Sequence, residues 1–302
     1  MNLRLYKKDN TKRNIIIAII IVFILIILIL IIYNNNIKRN IIFSENNNIE
    51  QEKSIGTEKS EILTVVLDPK NIEEKKEINE KLPKLTDIGK EKMKNIYYST
   101  EKIAYLTFDD GPSKNVTPLI LDLLKEQNVK ATFFVLGSRA ELYPDLVKRE
   151  YEEGHFIANH GYSHDYNKIY ANPQSVLDEY WKTEKCIKNA LKNQEYNSYL
   201  FRFPGGSSGG KYADIKKQAI EKLNENNILN INWNALTNDA VGTPTRESII
   251  NDLKETVGEK NSVVILMHDA STKILTYECL TEVISYLREN GYCFRTFYDI
   301  IQ

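Results

Sequence analysis

The pattern of hydrophobic and polar residues divides the chain of 302 residues into segments of different character. Residues 15–32 form an unbroken apolar run. Residues 34–100 are polar, charged and poor in glycine, with one short β-like run at 62–67. From residue 102 onward, short apolar runs alternate with amphipathic stretches. The pattern therefore predicts a membrane segment, a connecting segment and a folded α/β domain.

The apolar run has the length of a membrane-spanning helix, because about 18–20 apolar residues match the hydrocarbon thickness of a bilayer. Basic residues precede it at Arg4, Lys7, Lys8, Lys12 and Arg13, opposed only by Asp9. This excess of cations favours a cytoplasmic N-terminus, and Lys38 and Arg39 beyond the run weaken the bias without reversing it. A cleaved signal peptide is the alternative, but the run ends at Tyr33 and three asparagines, which offer no small-residue cleavage site.

These features predict the domain organisation. Residues 1–14 are expected in the cytoplasm, residues 15–33 as a single-pass anchor, and the remainder of the chain outside the cell membrane. Residues 34–100 have few apolar clusters and cannot bury much surface, so we expect an extracytoplasmic linker or stalk. A small accessory module around residues 60–95 is the alternative. A folded α/β domain is expected at 101–298.

The folded domain shows a repeating rhythm of strands and helices. Candidate strands span residues 103–107, 131–136, 155–158, 199–203, 229–233, 263–267 and 292–296, and helical patterns span 118–127, 143–153, 173–191, 212–226, 246–257 and 275–289. Such alternation predicts parallel βαβ units. A closed or nearly closed barrel and an open doubly wound sheet both fit, and in either fold ligands lie at the carboxyl ends of the strands.

Charge and cysteine content exclude some classes of protein. The net charge is −1, which argues against a nucleic-acid binder, because such a protein needs a basic face to neutralise phosphates. The cysteines Cys186, Cys279 and Cys293 are odd in number and lack the short spacing of a thiolate metal site. We expect them buried and unpaired, with a Cys279–Cys293 bridge left open.

Histidine and aspartate pairs are the candidates for metal chemistry. His160 and His164 are four residues apart, so both imidazoles would share one face if the segment is helical; alternatively they are two unrelated polar residues. Asp109 and Asp110 follow the first strand, and adjacent carboxylates repel unless they share a cation. An ordinary Asp-Gly turn is the simpler interpretation. Together, Asp110 and the histidines would complete a catalytic zinc site with one open position, leaving Asp109 as a base.

Two further strand ends carry candidate residues. Arg202 precedes Pro204, Gly205 and Gly206, and an arginine there could hold a carboxylate in a bidentate pair. The glycines let the backbone approach a ligand, so an exposed N–H could stabilise an oxyanion, although a flexible loop is the alternative. His268 ends the sixth candidate strand and could protonate a leaving amine, with Asp239, after the fifth strand, orienting it. His155 is expected to have a packing or hydrogen-bonding role.

On these motifs, the chain resembles the polysaccharide deacetylases of carbohydrate esterase family four, the NodB-type domain, over about residues 101–298. Residues 107–112 match the family's TFDDGP element, His160 and His164 its metal histidines, Arg202 and Pro204 its RxPxG element, and Leu266 and His268 its LxH element. Order and spacing agree throughout. The family usually has Ser or Thr where Gly161 stands, an aromatic residue where Gly205 stands and Trp where Ala240 stands.

The resemblance implies a fold and a set of roles. The implied fold is a distorted (β/α)₇ barrel. Asp110, His160 and His164 would hold one divalent ion, Zn²⁺ or alternatively Co²⁺, Ni²⁺ or Mn²⁺. The other implied roles are a general base at Asp109 held by Arg202, a general acid at His268 tuned by Asp239, an oxyanion donor at the Gly205 N–H beside Pro204, and an acetyl-methyl pocket shaped by Leu266.

The implied activity is hydrolytic removal of N-acetyl groups from a cell-wall glycan, with peptidoglycan N-acetylglucosamine favoured because the anchor would place the enzyme at the wall. Two alternatives remain. One is a deacetylase of chitin-type oligosaccharides or of another amide on the same fold. The other is a non-catalytic wall-binding module, which would not need both an acid and a base.

Overall fold

A parallel sheet of eight strands organises residues 82–301, the part of the chain that this computed structural model describes. The strands are β1 (Ile103–Asp109), β2 (Thr132–Val135), β3 (Phe156–Asn159), β4 (Leu200–Phe201), β5 (Leu229–Asn230), β6 (Ala235–Leu236), β7 (Ser262–His268) and β8 (Cys293–Phe294). The helices are α1 (Asp87–Lys94), α2 (Thr117–Glu126), α3 (Gly137–Leu142), α4 (Pro144–Glu152), α5 (Tyr166–Ile169), α6 (Pro173–Leu191), α7 (Ala213–Glu225), α8 (Arg246–Val257) and α9 (Ile274–Glu289), followed by a 3₁₀ helix at Phe297–Asp299.

The strand order is β5-β4-β3-β2-β1-β7-β6, and β8 pairs with the first residues of β1. Every pairing is parallel. The predicted α/β fold with a parallel sheet is therefore confirmed. Within residues 82–301 no ladder joins β5 to β6, so the sheet remains open between its two outer strands.

The strand β6 is absent from the sequence prediction, which placed one strand at 229–233. In the structure β5 ends at Asn230, and β6 pairs with β7 instead. The side chain of Asn234 supports this change of partner, because its Oδ1 accepts from the Val264 N–H at 2.7 Å and its Nδ2 donates to the Ser262 carbonyl at 2.8 Å. Asp239 consequently follows β6 rather than the fifth strand.

Alternation along the central strands separates two packing layers. In β1, Ala104, Leu106 and Phe108 pack in the cluster shared with the outer helices, whereas Tyr105 packs on the opposite face with Val264 of β7. Successive side chains of a strand point to opposite faces. Thr107 and Asp109 therefore share the inner face with Tyr105, and this face changes from apolar to polar toward the carboxyl edge of the sheet.

The long helix α6 shows how local sequence sets the helix ends. Pro173 occupies its first turn, where the missing N–H costs nothing. The Asn172 side chain accepts from the Ser175 N–H at 3.0 Å and caps the helix. The helix stops at Lys192, whose φ of 52° is left-handed. These local signals explain why the predicted helix at 173–191 matches the structure.

The chain before residue 101 contributes to the described fold. Helix α1 is capped by Thr86, and Met93 and Ile96 are buried in the inner core cluster. Residues 82–100 were assigned to the linker from their polarity, whereas these two apolar side chains pack with the inner face of the sheet. The predicted anchor at 15–33 and the linker at 34–81 lie outside the described residues. No helix within 82–301 is long and apolar enough to cross a membrane.

All three cysteines lie within the described residues and all are free thiols. Cys279 is buried as expected, Cys186 is half-buried and Cys293 is exposed. The Cys279–Cys293 bridge that the sequence left open is therefore not formed. Cys293 is exposed because it belongs to the two-residue strand β8, which pairs only with the first residues of β1.

Candidate active site

The carboxyl edge of the sheet gathers the predicted site residues around one cleft of about 310 Å³. Asp109 and His268 are register partners across β1 and β7, so the sheet itself places them side by side. The cleft is lined by Asp109, Asp110, His160, His164, Gly205, Asp239, Leu266 and His268, together with Tyr166, Trp233, Leu236, Asn238, Ala240 and Val241. Arg202 and Pro204, which were also predicted, are buried and are not part of this lining.

Asp110, His160 and His164 form a cluster whose ligand atoms all lie within 4.8 Å of one another. The Asp110 Oδ1 atom is 3.5 Å from His160 Nε2 and 3.3 Å from His164 Nε2. The segment carrying the histidines is irregular, so the helical arrangement considered from their spacing is wrong. A left-handed backbone at Gly161 (φ 80°) and at His164 (φ 54°) turns the second imidazole toward the first.

The cluster fits a divalent cation. Asp110 Oδ1 is buried and has no hydrogen-bond partner among residues 82–301, which is costly unless a ligand satisfies it. His160 Nδ1 lies 2.7 Å from the Arg202 carbonyl, which requires the proton on Nδ1 and leaves the Nε2 lone pair free. Burial lowers the pKa of His160 to about 3, so the ring is neutral, as a ligand must be.

Asp109 is held beside this cluster by Arg202. The Arg202 Nη1 atom donates to Asp109 Oδ1 at 2.8 Å and to Thr107 Oγ1 at 2.7 Å. The pair is therefore not bidentate as predicted, because the guanidinium also donates to the carbonyls of Ile231 and Asn232. Burial raises the pKa of Asp109, and the positive charges of Arg202 and His268 oppose that rise.

The contacts that hold Arg202 could not be found from local sequence. Its side chain is fully buried, with the guanidinium carbon 3.9 Å from the Phe134 ring centroid. Its two carbonyl partners belong to the connection between β5 and β6, where the sheet has no ladder among the described strands. Arg202 therefore links the opening of the sheet to the candidate site.

His268 has a carboxylate partner. Its Nδ1 is 2.8 Å from Asp239 Oδ1, and its backbone N–H donates to Asp239 Oδ2 at 2.8 Å. Thr276 Oγ1 donates to the same Oδ2 atom at 2.7 Å. Burial favours the neutral imidazole, but the hydrogen bond and charge of Asp239, with Asp109, raise the pKa of His268 to about 9. His268 is therefore a cation at neutral pH, with Nδ1 committed to Asp239.

The turn at Pro204 and Gly205 borders the cleft. Gly205 is exposed, has a left-handed φ of 70°, and its N–H has no hydrogen-bond partner among the described residues. Two residues that the sequence analysis missed fix this turn: Tyr170 Oη donates to the Pro204 carbonyl at 2.6 Å, and Lys216 Nζ donates to the Gly206 carbonyl at 2.7 Å. Nothing in their local sequence marks them, since they are 34 and 10 residues from their partners.

His155, which was set apart from the site, lies at the opposite edge of the sheet, immediately before β3. Its Nδ1 accepts from the Ala131 N–H at 3.0 Å, and its ring packs edge-on against Phe133. Burial lowers its pKa to about 3, so it is neutral. The expected packing and hydrogen-bonding role of His155 is confirmed.

Comparisons with known proteins place this site in a family. The sequence profile of the polysaccharide deacetylases matches residues 96–227. A peptidoglycan-N-acetylglucosamine deacetylase of Bacillus cereus is 32% identical over 203 residues, covering 66% of this chain and 70% of that protein. The chain belongs to the polysaccharide deacetylase family. This agrees with the resemblance inferred from the sequence motifs, and the protein is accordingly a polysaccharide deacetylase hydrolase.

Two further relatives extend the comparison. The peptidoglycan-N-acetylglucosamine deacetylase PgdA of Listeria monocytogenes is 36% identical over 197 residues, which span 65% of this deacetylase but only 38% of PgdA. The structure of a Streptococcus mutans CE4 esterase superposes with a TM-score of 0.63 at 30% identity, covering 71% of this chain and 92% of that one. The parallel α/β fold described above is therefore that of the CE4 deacetylase domain.

Proposed function

We propose that this polysaccharide deacetylase removes N-acetyl groups from the N-acetylglucosamine of peptidoglycan, releases acetate, and depends on one divalent metal ion. The observation that carries the proposal is the arrangement of the cleft. A carboxylate–histidine cluster with an unsatisfied buried oxygen lies beside Asp109, whose register partner is the cationic His268. A site that only bound glycan would have no need of this pairing.

Asp110, His160 and His164 would hold the metal ion, which we take as Zn²⁺, with Co²⁺, Ni²⁺ or Mn²⁺ as alternatives. One carboxylate and two imidazoles are a ligand set that leaves a coordination position open. When bound, the ion acts as a Lewis acid that polarises the amide carbonyl and makes a water molecule more acidic.

Asp109 would act as the general base. Its Oδ1 is occupied by Arg202, and its Oδ2 lies 3.7 Å from His160 Nε2, on the side of the candidate metal ligands. This second oxygen can accept a proton from a water molecule that attacks the amide carbon. The Arg202 guanidinium fixes the carboxylate, and its positive charge opposes the rise in the pKa of Asp109 that burial causes.

His268 would act as the general acid. Its protonation at neutral pH and the bond from Nδ1 to Asp239 leave the proton on Nε2 to be donated. The amide C–N bond breaks, the sugar nitrogen receives the His268 proton, and acetate and a free amino sugar remain. The N–H of Gly205, beside Pro204, would stabilise the oxyanion. Leu266 would border the acetyl methyl group.

The choice of peptidoglycan rests on the names of the Bacillus cereus and Listeria monocytogenes relatives and on the predicted anchor at residues 15–33. An anchored protein with residues 34–302 outside the cell membrane would meet the wall as its polymeric substrate. We also propose that the open parallel sheet corresponds to the distorted (β/α)₇ barrel that the family resemblance implies. The alternatives are a chitin-type oligosaccharide, another amide, or glycan binding without chemistry.

Acetate release by the full-length, detergent-solubilised protein tests the proposal. We expect faster release from intact peptidoglycan than from soluble chitooligomers. Mass spectrometry of the wall fragments should show that the acetyl group of N-acetylglucosamine has been replaced by hydrogen. Faster release from chitooligomers would overturn the assignment of peptidoglycan and identify a chitin-type oligosaccharide as the substrate. Glycan binding without acetate release, in protein that retains its metal, would overturn the enzyme assignment.

A further inference from the structure

Tyr166 occupies the space that a side chain at position 205 would need. A Cβ atom built on Gly205 would lie 2.5 Å from the Tyr166 hydroxyl oxygen and 3.3 Å from the ring carbon Cζ. Cβ atoms in proteins essentially never approach another atom to less than 3.0 Å. The backbone at Gly205 is also left-handed, which disfavours a side chain independently. The Tyr166 hydroxyl is therefore the nearest side-chain group to Gly205 on this side of the cleft.

The ring of Tyr166 is held in place by its neighbours. Its centroid lies 5.6 Å from that of His164, 5.5 Å from that of Tyr170 and 6.4 Å from that of Tyr212. The residue begins α5, two positions after His164. The imidazole and the other tyrosines thus fix where the ring can lie, and a fixed ring can present its hydroxyl in one direction.

The hydroxyl of Tyr166 has no hydrogen-bond partner among residues 82–301, whereas those of Tyr170 and Tyr212 bond to Pro204 and Asn167. Tyr166 is 38% exposed and lines the same cleft as Asp109 and His268. A rigid aromatic ring with a free hydroxyl at a cleft wall is suited to a sugar, because the ring covers the apolar C–H face and the hydroxyl bonds to a sugar oxygen.

We propose that Tyr166 is a specificity-determining residue of this deacetylase, and that its hydroxyl bonds to the sugar ring that carries the scissile acetamide. This inference rests on the proposed function and adds a substrate contact to it. Gly205 leaves the space open, and the Tyr166 hydroxyl occupies it. A site built to bond a sugar hydroxyl discriminates against ligands that lack it, because the polar group of the protein is then left unpaired.

Tyr166→Phe tests the contact, because it keeps the ring against His164 and removes only the hydroxyl. The substrate is N-acetylated chitotetraose, which carries the same sugar as the proposed wall target. We expect KM to rise about tenfold and kcat to change less, since one hydrogen bond made equally in the ground and transition states is lost. Metal content measured by mass spectrometry should equal that of the wild type.

Tyr212→Phe is the matched control, because Tyr212 belongs to the same aromatic group but donates to Asn167 and is not part of the cleft lining. It should leave KM unchanged. An unchanged KM in Tyr166→Phe, with active wild-type protein, would overturn the contact and leave the proposed function standing. Wild-type protein that retains its metal and releases no acetate from either peptidoglycan or chitotetraose would overturn both.

A double-mutant cycle between Gly205→Ala and Tyr166→Phe tests the shared space without using activity. Gly205→Ala should lower the melting temperature in both backgrounds through the left-handed φ, and this contribution cancels in the cycle. The 2.5 Å clash with the hydroxyl is present only in the Tyr166 background, so the loss should be larger there. Additive effects of the two substitutions would contradict the proposed packing of Tyr166 against Gly205.

Discussion

His160, which is buried, and His268, which is half-buried, lie in the same cleft, each near a carboxylate, and yet their charge states differ. The Nδ1 of His160 faces the Arg202 carbonyl, and burial lowers the pKa of His160 to about 3 although the nearby Asp110 carboxylate opposes that shift. The Nδ1 of His268 faces the Asp239 carboxylate, and its pKa rises to about 9 against the effect of burial. The difference teaches that the partner of one ring nitrogen decides the chemistry available to the other.

This comparison divides the cleft into two sides with separate proposed tasks. On the side of His160, a neutral ring can offer a lone pair to a metal ion. On the side of His268, a charged ring can offer a proton. The two sides meet at Asp109, whose Oδ2 lies 3.7 Å from His160 Nε2 and which is the register partner of His268.

The largest effect is expected from removing the metal. Chelation should reduce acetate release by at least about a thousandfold, because Lewis-acid stabilisation supplies several kcal/mol of the barrier reduction. Added Zn²⁺ should restore the rate. His160→Ala should have the same effect without chelator, together with a lower metal content by mass spectrometry. Full activity in metal-free protein would contradict the proposed division of the cleft into a metal-binding side at His160 and a proton-donating side at His268.

Loss of the proposed acid should be the next largest effect. His268→Ala should lower kcat by about 10²–10⁴-fold, the range of general acid–base catalysis. Metal content should be unchanged, because His268 is not among the cluster residues. Circular dichroism should verify the fold, since the substitution leaves Asp239 with one partner fewer. A His268→Ala protein that had also lost its metal would contradict the separation of tasks.

A smaller effect concerns pH. The acid must be protonated, so kcat of the wild type should fall as pH rises through about 9. In Asp239→Asn the ring loses its carboxylate partner, and the alkaline limb should move down toward the ordinary histidine value of about 6.5. The kcat–pH profile measures both limbs. If kcat fell over the same alkaline pH range in the two proteins, Asp239 would not set the protonation of His268.

The smallest effect should come from Lys216, which orients the Gly205 turn from outside the cleft. Lys216→Met removes the bond to the Gly206 carbonyl, and kcat should fall by about tenfold, less than the 10²–10³ expected for outright loss of an oxyanion donor. KM should change little. Lys217→Met on the exposed face of α7 is the control. Equal kcat values for the two variants would show that Lys216 has no part in positioning the turn.

Most of what the sequence could predict about the site follows from the rule that ligands lie at the carboxyl ends of parallel strands. Asp109 and His268 each end a run of apolar residues, and parallel pairing brings such ends to one edge. The rule needs only local pattern, and for this reason the long strands β1 and β7 and the helix at 173–191 were also found. The strand β6 was missed because two residues carry no periodicity, and its pairing with β7 depends on residues 30 positions away.

The remaining features depend on contacts that no local pattern encodes. Whether His160 and His164 share a helix face or a loop is decided by left-handed residues in the fold. The Arg202 guanidinium was expected to bind one carboxylate, whereas it is divided among Asp109, Thr107 and two carbonyls. Tyr166 and Lys216 approach the turn from other elements, so the sequence offered no signal for them.

Arg202 has a consequence for judging relatives of this enzyme by their motifs. Its guanidinium ties the β5–β6 connection to β1, so a relative that no longer hydrolysed anything would still gain these packing contacts from it. Retention of this arginine therefore reports ancestry and foldedness. The buried Asp110 Oδ1 atom makes no hydrogen bond to residues 82–301 that would support the fold. Loss of Asp110 is therefore the better sign that a relative no longer carries out the reaction.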